Sequence, residues 1–210
     1  MKHLVFKNFK ISVEVEKGKK IKNFRMDRGG EFVSTAFKDY CENEGMKRFL
    51  IAPFPPQQNG VVERHNRTVV EIARCMLKSK EMPTKFWGEA VKIAVYILNR
   101  SPIKGVADGT PYQAWFDKIP KVHHFKIFGS LAHAKNTYSH LPKLDDRSVK
   151  TIMLGYEYGT KAFKLLDPQM NKIMVSSDLL FEEEKKWCWE EITNGDNEQR
   201  GTFTVQISEK

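Results

Sequence analysis

The chain has 210 residues, of which 40% are hydrophobic and 29% charged, and a formal net charge of +9. That is the composition of an ordinary globular protein, with length for one medium domain or two small ones. It excludes a membrane partner, since no apolar run approaches the ~20 residues that a bilayer requires, and the opening MKHLVFKNFK lacks the apolar core of a secretory signal.

The charge is uneven. Residues 1–26 hold eight Lys/Arg against two Glu, whereas residues 181–200 hold seven Asp/Glu against three Lys/Arg. A basic body with an acidic segment suits an anionic partner, nucleic acid above all; the plain alternative is a solvated basic surface. Cys41, Cys75 and Cys188 are far apart and form no CxxC pair. They point to neither a disulfide framework nor a zinc–cysteine site, and suit a reducing compartment. All three are expected to be unpaired thiols, at least partly buried.

In chain order, residues 1–16 suggest a short helix broken at Gly18, and IKNFRM (21–26) a strand. DRGGE (27–31) is a turn with two glycines available for positive φ. Ser34 can cap a helix whose apolar face is Phe37, Tyr40 and Cys41, with Gly45 ending it, and MKRFLI (46–51) is a second strand. After a Pro- and amide-rich loop come two long helices. The first runs from about Val62 to Ser79, with Val69, Ile72, Ala73, Met76 and Leu77 on one face. The second follows Pro83 and carries a stripe of Trp87, Ala90, Val91, Ala94, Val95 and Leu98, closed by Pro102. TPYQAW (110–115) reads as a short helix with a Thr cap and Pro in its first turn. Beyond Pro120 the period changes. FKIFGSLAHA, VKTIMLGYEY, KAFKLLD and KIMVSSDLLF are strand-like runs at roughly ten-residue spacing, as in a small barrel. This places a boundary near residue 120, and a polar, acidic, unstructured tail over 188–210.

Two carboxylates invite a chemical reading. Asp27 stands at a strand end and Glu63 in the first turn of the helix, with thirty-five residues, 28–62, between them. Strand, helix, strand and loop can fold back over that distance and bring both to one sheet edge. Hard oxygens at such a point can hold Mg2+, and two such ions ~4 Å apart can activate a hydroxyl and stabilise a leaving oxygen in phosphodiester chemistry. Each residue also has a plainer reading: Asp27 as a turn residue before glycine, Glu63 as a favourable charge at a helix N-terminus, paired with Arg67. Arg64, Arg67, Arg74 and Lys78 lie on or near the polar side of the same helix, beside His65 and Asn66. Such a helix can lie along a phosphate backbone, or simply be solvated.

FRMDRGGEF, APFPPQQNGVVERHNRT, EIARCML, FWGEAVKIAVYILNRSP and TPYQAW, in that order, resemble the integrase region of copia-type retrotransposon Pol polyproteins. FKIFGSLAHA, KLDDRSVKTIMLGY, KLLDP and SSDLLFEE, followed by the two tryptophans Trp187 and Trp189, resemble the small Src homology 3-like barrel that follows that core. The resemblance covers roughly residues 1–190. It implies an α/β partial RNase H-like core over 1–119, its first strands missing, and an all-β Src homology 3-like barrel over 121–185. It further implies a D,D-35-E triad holding two Mg2+ or Mn2+ ions, which processes element DNA ends and joins them to target DNA. Asp27 matches the second Asp of that triad and Glu63 its Glu. Gln57, Gln58 and Asn59 match the loop that contacts the DNA end. The implied partners are DNA and other integrase chains, and the implied location is the nucleus, although KGKK (17–20) is too short to serve as a signal.

The chain departs from that pattern in several places. No Asp precedes Asp27, and Glu14 and Glu16, the only earlier acids, fall where the family has a helix. The family's zinc-binding His/Cys segment is absent, and His123-His124 have no cysteine pair beside them. Pro55 stands where the family usually has Thr, and Asp117 where it often has Gly. These features lead to the expectation that Met1 lies inside a domain, that residues 1–119 are marginal alone, and that the barrel is the more autonomous part. Three functional readings follow: an integrase fragment inactive alone for want of its first Asp, a non-catalytic DNA-binding remnant, and a decayed reading frame.

Overall fold

The structure is a computed structural model that describes residues 2–26, 33–50, 60–107, 109–135 and 148–189. Packing divides the chain into two compact units, Met1–Asn66 and Arg67–Lys210.

The first unit opens with α1 (Lys2–Lys17). It stops at Gly18, whose φ of +60° is the left-handed conformation that a glycine adopts without a Cβ penalty. β1 (Asn23–Met26), α2 (Thr35–Asn43) and β2 (Lys47–Leu50) then form a strand–helix–strand unit. The two strands pair in parallel, Asn23 opposite Lys47 and Met26 opposite Leu50, as a helical crossover requires. Ser34 caps α2, its side chain accepting from the Phe37 amide at 3.4 Å, and Gly45 at φ +67° follows the helix end. Phe6, Met26, Phe37, Cys41 and Met46 form the core, with Ile21, Phe24 and Tyr40 packed against it. One charge is buried beside it. The Lys10 ammonium donates to Glu14 and to Glu44, each at 2.8 Å, and Glu14 also accepts from the Ile21 amide at 2.7 Å. Both carboxylates hold the Lys10 pKa far above its ordinary value, the Glu14 contact contributing most. The DRGGE turn lies outside the described residues.

α3 (Gly60–Ser79) begins two residues before the sequence suggests. In the second unit it leads through a 3-10 turn (Thr84–Phe86) into α4 (Trp87–Asn99) and the short α5 (Pro111–Phe116). Thr110 caps α5, accepting from the Gln113 amide at 3.1 Å, and Asp117 closes it at φ +56°. That left-handed position is one that a glycine takes without a Cβ penalty. Five antiparallel strands follow: β3 (Leu131–Lys135), β4 (Ser148–Tyr156), β5 (Phe163–Asp167), β6 (Lys172–Ser176) and β7 (Leu179–Glu182), in the order β6-β5-β4-β3-β7. KIMVSSDLLF is thus two strands, not one run. The Asp178 amide donates to the Ser176 hydroxyl at 3.3 Å between them, and β6 and β7 end on opposite edges of the sheet.

Helices and sheet bury one core. Ala73, Leu77, Met82, Phe86, Ala90, Ile93 and Ala94 pack with Phe128, Ala132, Ala134, Ile152, Met153, Leu154, Leu165 and Leu166. Residue 120 lies between α5 and β3, within the second of these units. The expected stripe of α4 is also rotated. Trp87 and Val95 are 38% and 41% exposed, while Ile93 is buried and reaches to 3.7 Å of where a Cβ on Gly155 would stand. An almost wholly apolar helix does not itself choose a face; the sheet does.

Candidate nucleic-acid interface

α3 is amphipathic because apolar residues recur at 69, 72, 73, 76 and 77. Ala73 and Leu77 are buried, and Val69, Ile72 and Met76 pack against the same core. At ~100° per residue, Glu63, Arg67, Arg74 and Lys78 then fall within about 60° of one another on the outward side. All four are exposed. Glu63 sits in the first turn and Lys78 in the last, each complementing the helix dipole. Arg64 points back along the helix start, its guanidinium 3.0 Å from where a Cβ on Gly60 would stand.

Several other cations of the second unit are committed. The Arg100 guanidinium lies 3.5 Å from the Tyr96 ring centroid and 4.6 Å from that of Tyr112. Lys126 pairs with Glu183 at 2.7 Å and Lys164 with Glu89 at 3.0 Å. Among the described residues, Arg67, Arg74 and Lys78 enter no ion pair, and the expected Glu63–Arg67 pair is not formed. The sequence reading overlooked Glu71. It is exposed beside this stripe and offsets part of its charge. Helical spacing alone could have found it.

Asp27, Gln57, Gln58, Asn59 and Pro55 lie outside the described residues. Among the described residues no three His, Cys, Asp or Glu side chains converge where a metal ion could sit. Glu14 is occupied by Lys10 and the Ile21 amide, a structural role consistent with its place on a helix. His124 is part of an aromatic cluster: its Nε2 lies 2.8 Å from the Tyr96 hydroxyl, and Tyr96 stacks on Tyr156 at 4.6 Å. The cysteines differ from expectation. Cys41 is buried, whereas Cys75 and Cys188 are exposed, because α3 turns residue 75 outward and Cys188 alternates with two inward tryptophans.

A family model described as "Retroviral polymerase SH3-like domain" matches residues 130–195. The Pol polyprotein of the tobacco (Nicotiana tabacum) transposon TNT 1-94 is 41% identical over 179 residues, or 85% of this chain. The Pol polyprotein of the Arabidopsis thaliana transposon RE1 is 30% identical over 178 residues, again 85% of the chain. Close homologues of this chain are thus the Pol polyproteins of copia-type transposons. The chain spans 14% and 12% of the length of those two relatives. The residues matched by that family model include all five strands of the antiparallel sheet. A weak structural likeness, with TM-score 0.41 and 16% identity over 86% of this chain and 63% of the other, links it to a chain of the simian T-cell lymphotropic virus intasome solved with PP2A regulatory subunit B56 gamma. No helix among the described residues is long and apolar enough to cross a membrane.

Proposed function

We propose that this chain is the part of a copia-type integrase that holds DNA, with α3 laid along a phosphate backbone. Its first unit is read as part of an RNase H-like core and its location as the nucleus, where target DNA lies. The observation that carries this reading is the exposed, uncommitted row Arg67, Arg74 and Lys78 on one face of α3. Gln57, Gln58 and Asn59 precede that helix and are assigned to the DNA end, and further copies of the chain are its expected partners. Binding to a fluorescein-labelled duplex, followed by anisotropy, should weaken as salt rises. Replacing Arg67 and Arg74 together with Ala should lower the slope of log K against log salt by about two, roughly one per phosphate contact. Affinity indifferent to salt, or unchanged in the double variant, would defeat the reading.

A catalytic role rests on the Asp27–Glu63 spacing and on the exposed Glu63 carboxylate, which enters no ion pair among the described residues. These two carboxylates are the hard-oxygen donors that Mg2+ takes, and they would hold it. Bound there, the ion would supply Lewis-acid polarisation of a phosphodiester oxygen. The 210 residues offer two carboxylates of a three-carboxylate site, so we propose that the chain alone binds DNA without joining it. Joining of labelled oligonucleotides in Mg2+ or Mn2+ that disappears in Glu63→Gln would overturn this.

A further inference from the structure

Residues 183–189, just after β7, are tied to the turn between α3 and α4. Lys80, in that turn, is only 8% exposed, and its ammonium donates to the backbone carbonyls of Glu183 and Lys185. Its stem is wedged against the loop before β3. A Cβ on Gly129, which holds φ +80°, would stand 2.8 Å from the Lys80 Cβ. Glu183 then ties the same loop from the other side. Its carboxylate accepts from Lys126 at 2.7 Å and from the Ile127 amide at 3.1 Å. Lys186 pairs with Glu81, Trp189 lies 5.4 Å from Phe86, and Trp187 packs against the same core. Turn, loop and post-β7 segment meet at one buried lysine.

We propose that residues 183–189 are a clasp, pinned by Lys80, that fastens the α3–α4 hairpin to the five-stranded sheet. A lysine on a helical hairpin contributes little to an exposed surface, but a buried ammonium without acceptors is costly. Lys80 is tolerated inside because the segment brings it two carbonyls, and the segment is held because Lys80 occupies them. The clasp also hides its own backbone. Lys185 and Lys186 have side chains 66% and 51% exposed, yet a protease must take the chain as an extended strand, and pinned carbonyls deny it.

Limited trypsin digestion of the full 210-residue chain tests this. Cutting at Lys185 and Lys186 should be slow in the parent and about tenfold faster in Lys80→Met, which keeps the stem and loses the charged hydrogen bonds. Exchange of the Ile127 amide should rise with it, while cutting after Lys135 and Lys164 stays unchanged. Trp189→Ala, which leaves Lys80 in place, should give the same local pattern. Glu81→Ala breaks only the outer pair, so protection of the Ile127 amide should persist. An unchanged cutting rate in Lys80→Met and Trp189→Ala would overturn the clasp, and so would acceleration spread equally over all four lysines.

Discussion

The two units reach compactness by different means. The second buries fifteen described residues, from three helical segments, three strands and two connecting turns, in one mostly aliphatic core. The first buries five, centred on aromatic rings: Phe6 lies 4.6 Å from Phe24 and 5.3 Å from Phe37. It adds the Glu14–Lys10–Glu44 cluster where a larger core would place apolar side chains. α1 meanwhile leaves Leu4, Val5, Phe9, Ile11 and Val15 exposed, Val15 at 78%. A small core supplemented by charges is sensitive to single losses and to acid. A large aliphatic core spreads the same loss over many neighbours.

The largest expected effect breaks the first unit and spares the second. Phe37 is 1% exposed and touches Phe6, Phe24 and Tyr40. Phe37→Ala should cost about 4 kcal/mol, enough to unfold a unit whose described core holds five buried side chains. Hydrogen exchange should show β1 and β2 amides losing protection while Ile152–Leu154 keep theirs. Leu166→Ala, at a 1% exposed position in the second unit, should cost about 3 kcal/mol and lower the main melting transition without abolishing it. Simultaneous loss of both sets of amides in either variant would show that the units fold as one.

Much of this was legible in the sequence, and the misses share a cause. Ser34, Thr110 with Pro111, Gly18 and Gly45 announce helix ends because caps and left-handed stops are local chemistry. The parallel β1–β2 pair follows from a strand–helix–strand pattern. The face of α4 did not follow, since Trp87 and Val95 fit a stripe as well as Ile93 and Ile97 do, and only the sheet decides. Nothing local marks Lys80 as buried, because its acceptors lie more than a hundred positions away. At the site, Asp27 and Glu63 stand out through their spacing and the basic face through its helical period.

A smaller effect sharpens the contrast in electrostatics. Lys10→Met removes the ammonium that two carboxylates share and should destabilise the first unit by about 2 kcal/mol. That is less than the ~3–5 kcal/mol for breaking a fully buried pair, because the Glu44 side chain is 37% exposed. The Lys10 contact, followed by the Ile21 amide, holds the Glu14 pKa below its ordinary value of 4.5. A depressed carboxylate contributes stability above its unfolded pKa and loses it as pH falls through the folded one. Acid should therefore loosen β1 and β2 below pH 4.5, and Lys10→Met should blunt that response. An undiminished acid transition in the variant would place the sensitivity elsewhere.

The smallest effect belongs to the second unit and to a different pH window. Burial, then His123 and Arg100, push the His124 pKa below 6.5. Tyr96, through its hydroxyl, and Tyr156, at a ring distance of 5.4 Å, face the same imidazole. In the fold the ring stays neutral where the unfolded chain would already take up a proton. The unfolded state then binds more protons just below pH 6.5, so stability falls as pH drops through that window and levels off below the folded pKa. The first unit's Glu14 does not titrate there. Melting between pH 7 and pH 5.5 should thus shift the second unit's transition. His124→Gln offers the Tyr96 hydroxyl an amide oxygen without a titrating group, and it should flatten that shift. If it does not, the neutral imidazole is incidental and the aromatic stack of Tyr96 on Tyr156 holds this corner unaided.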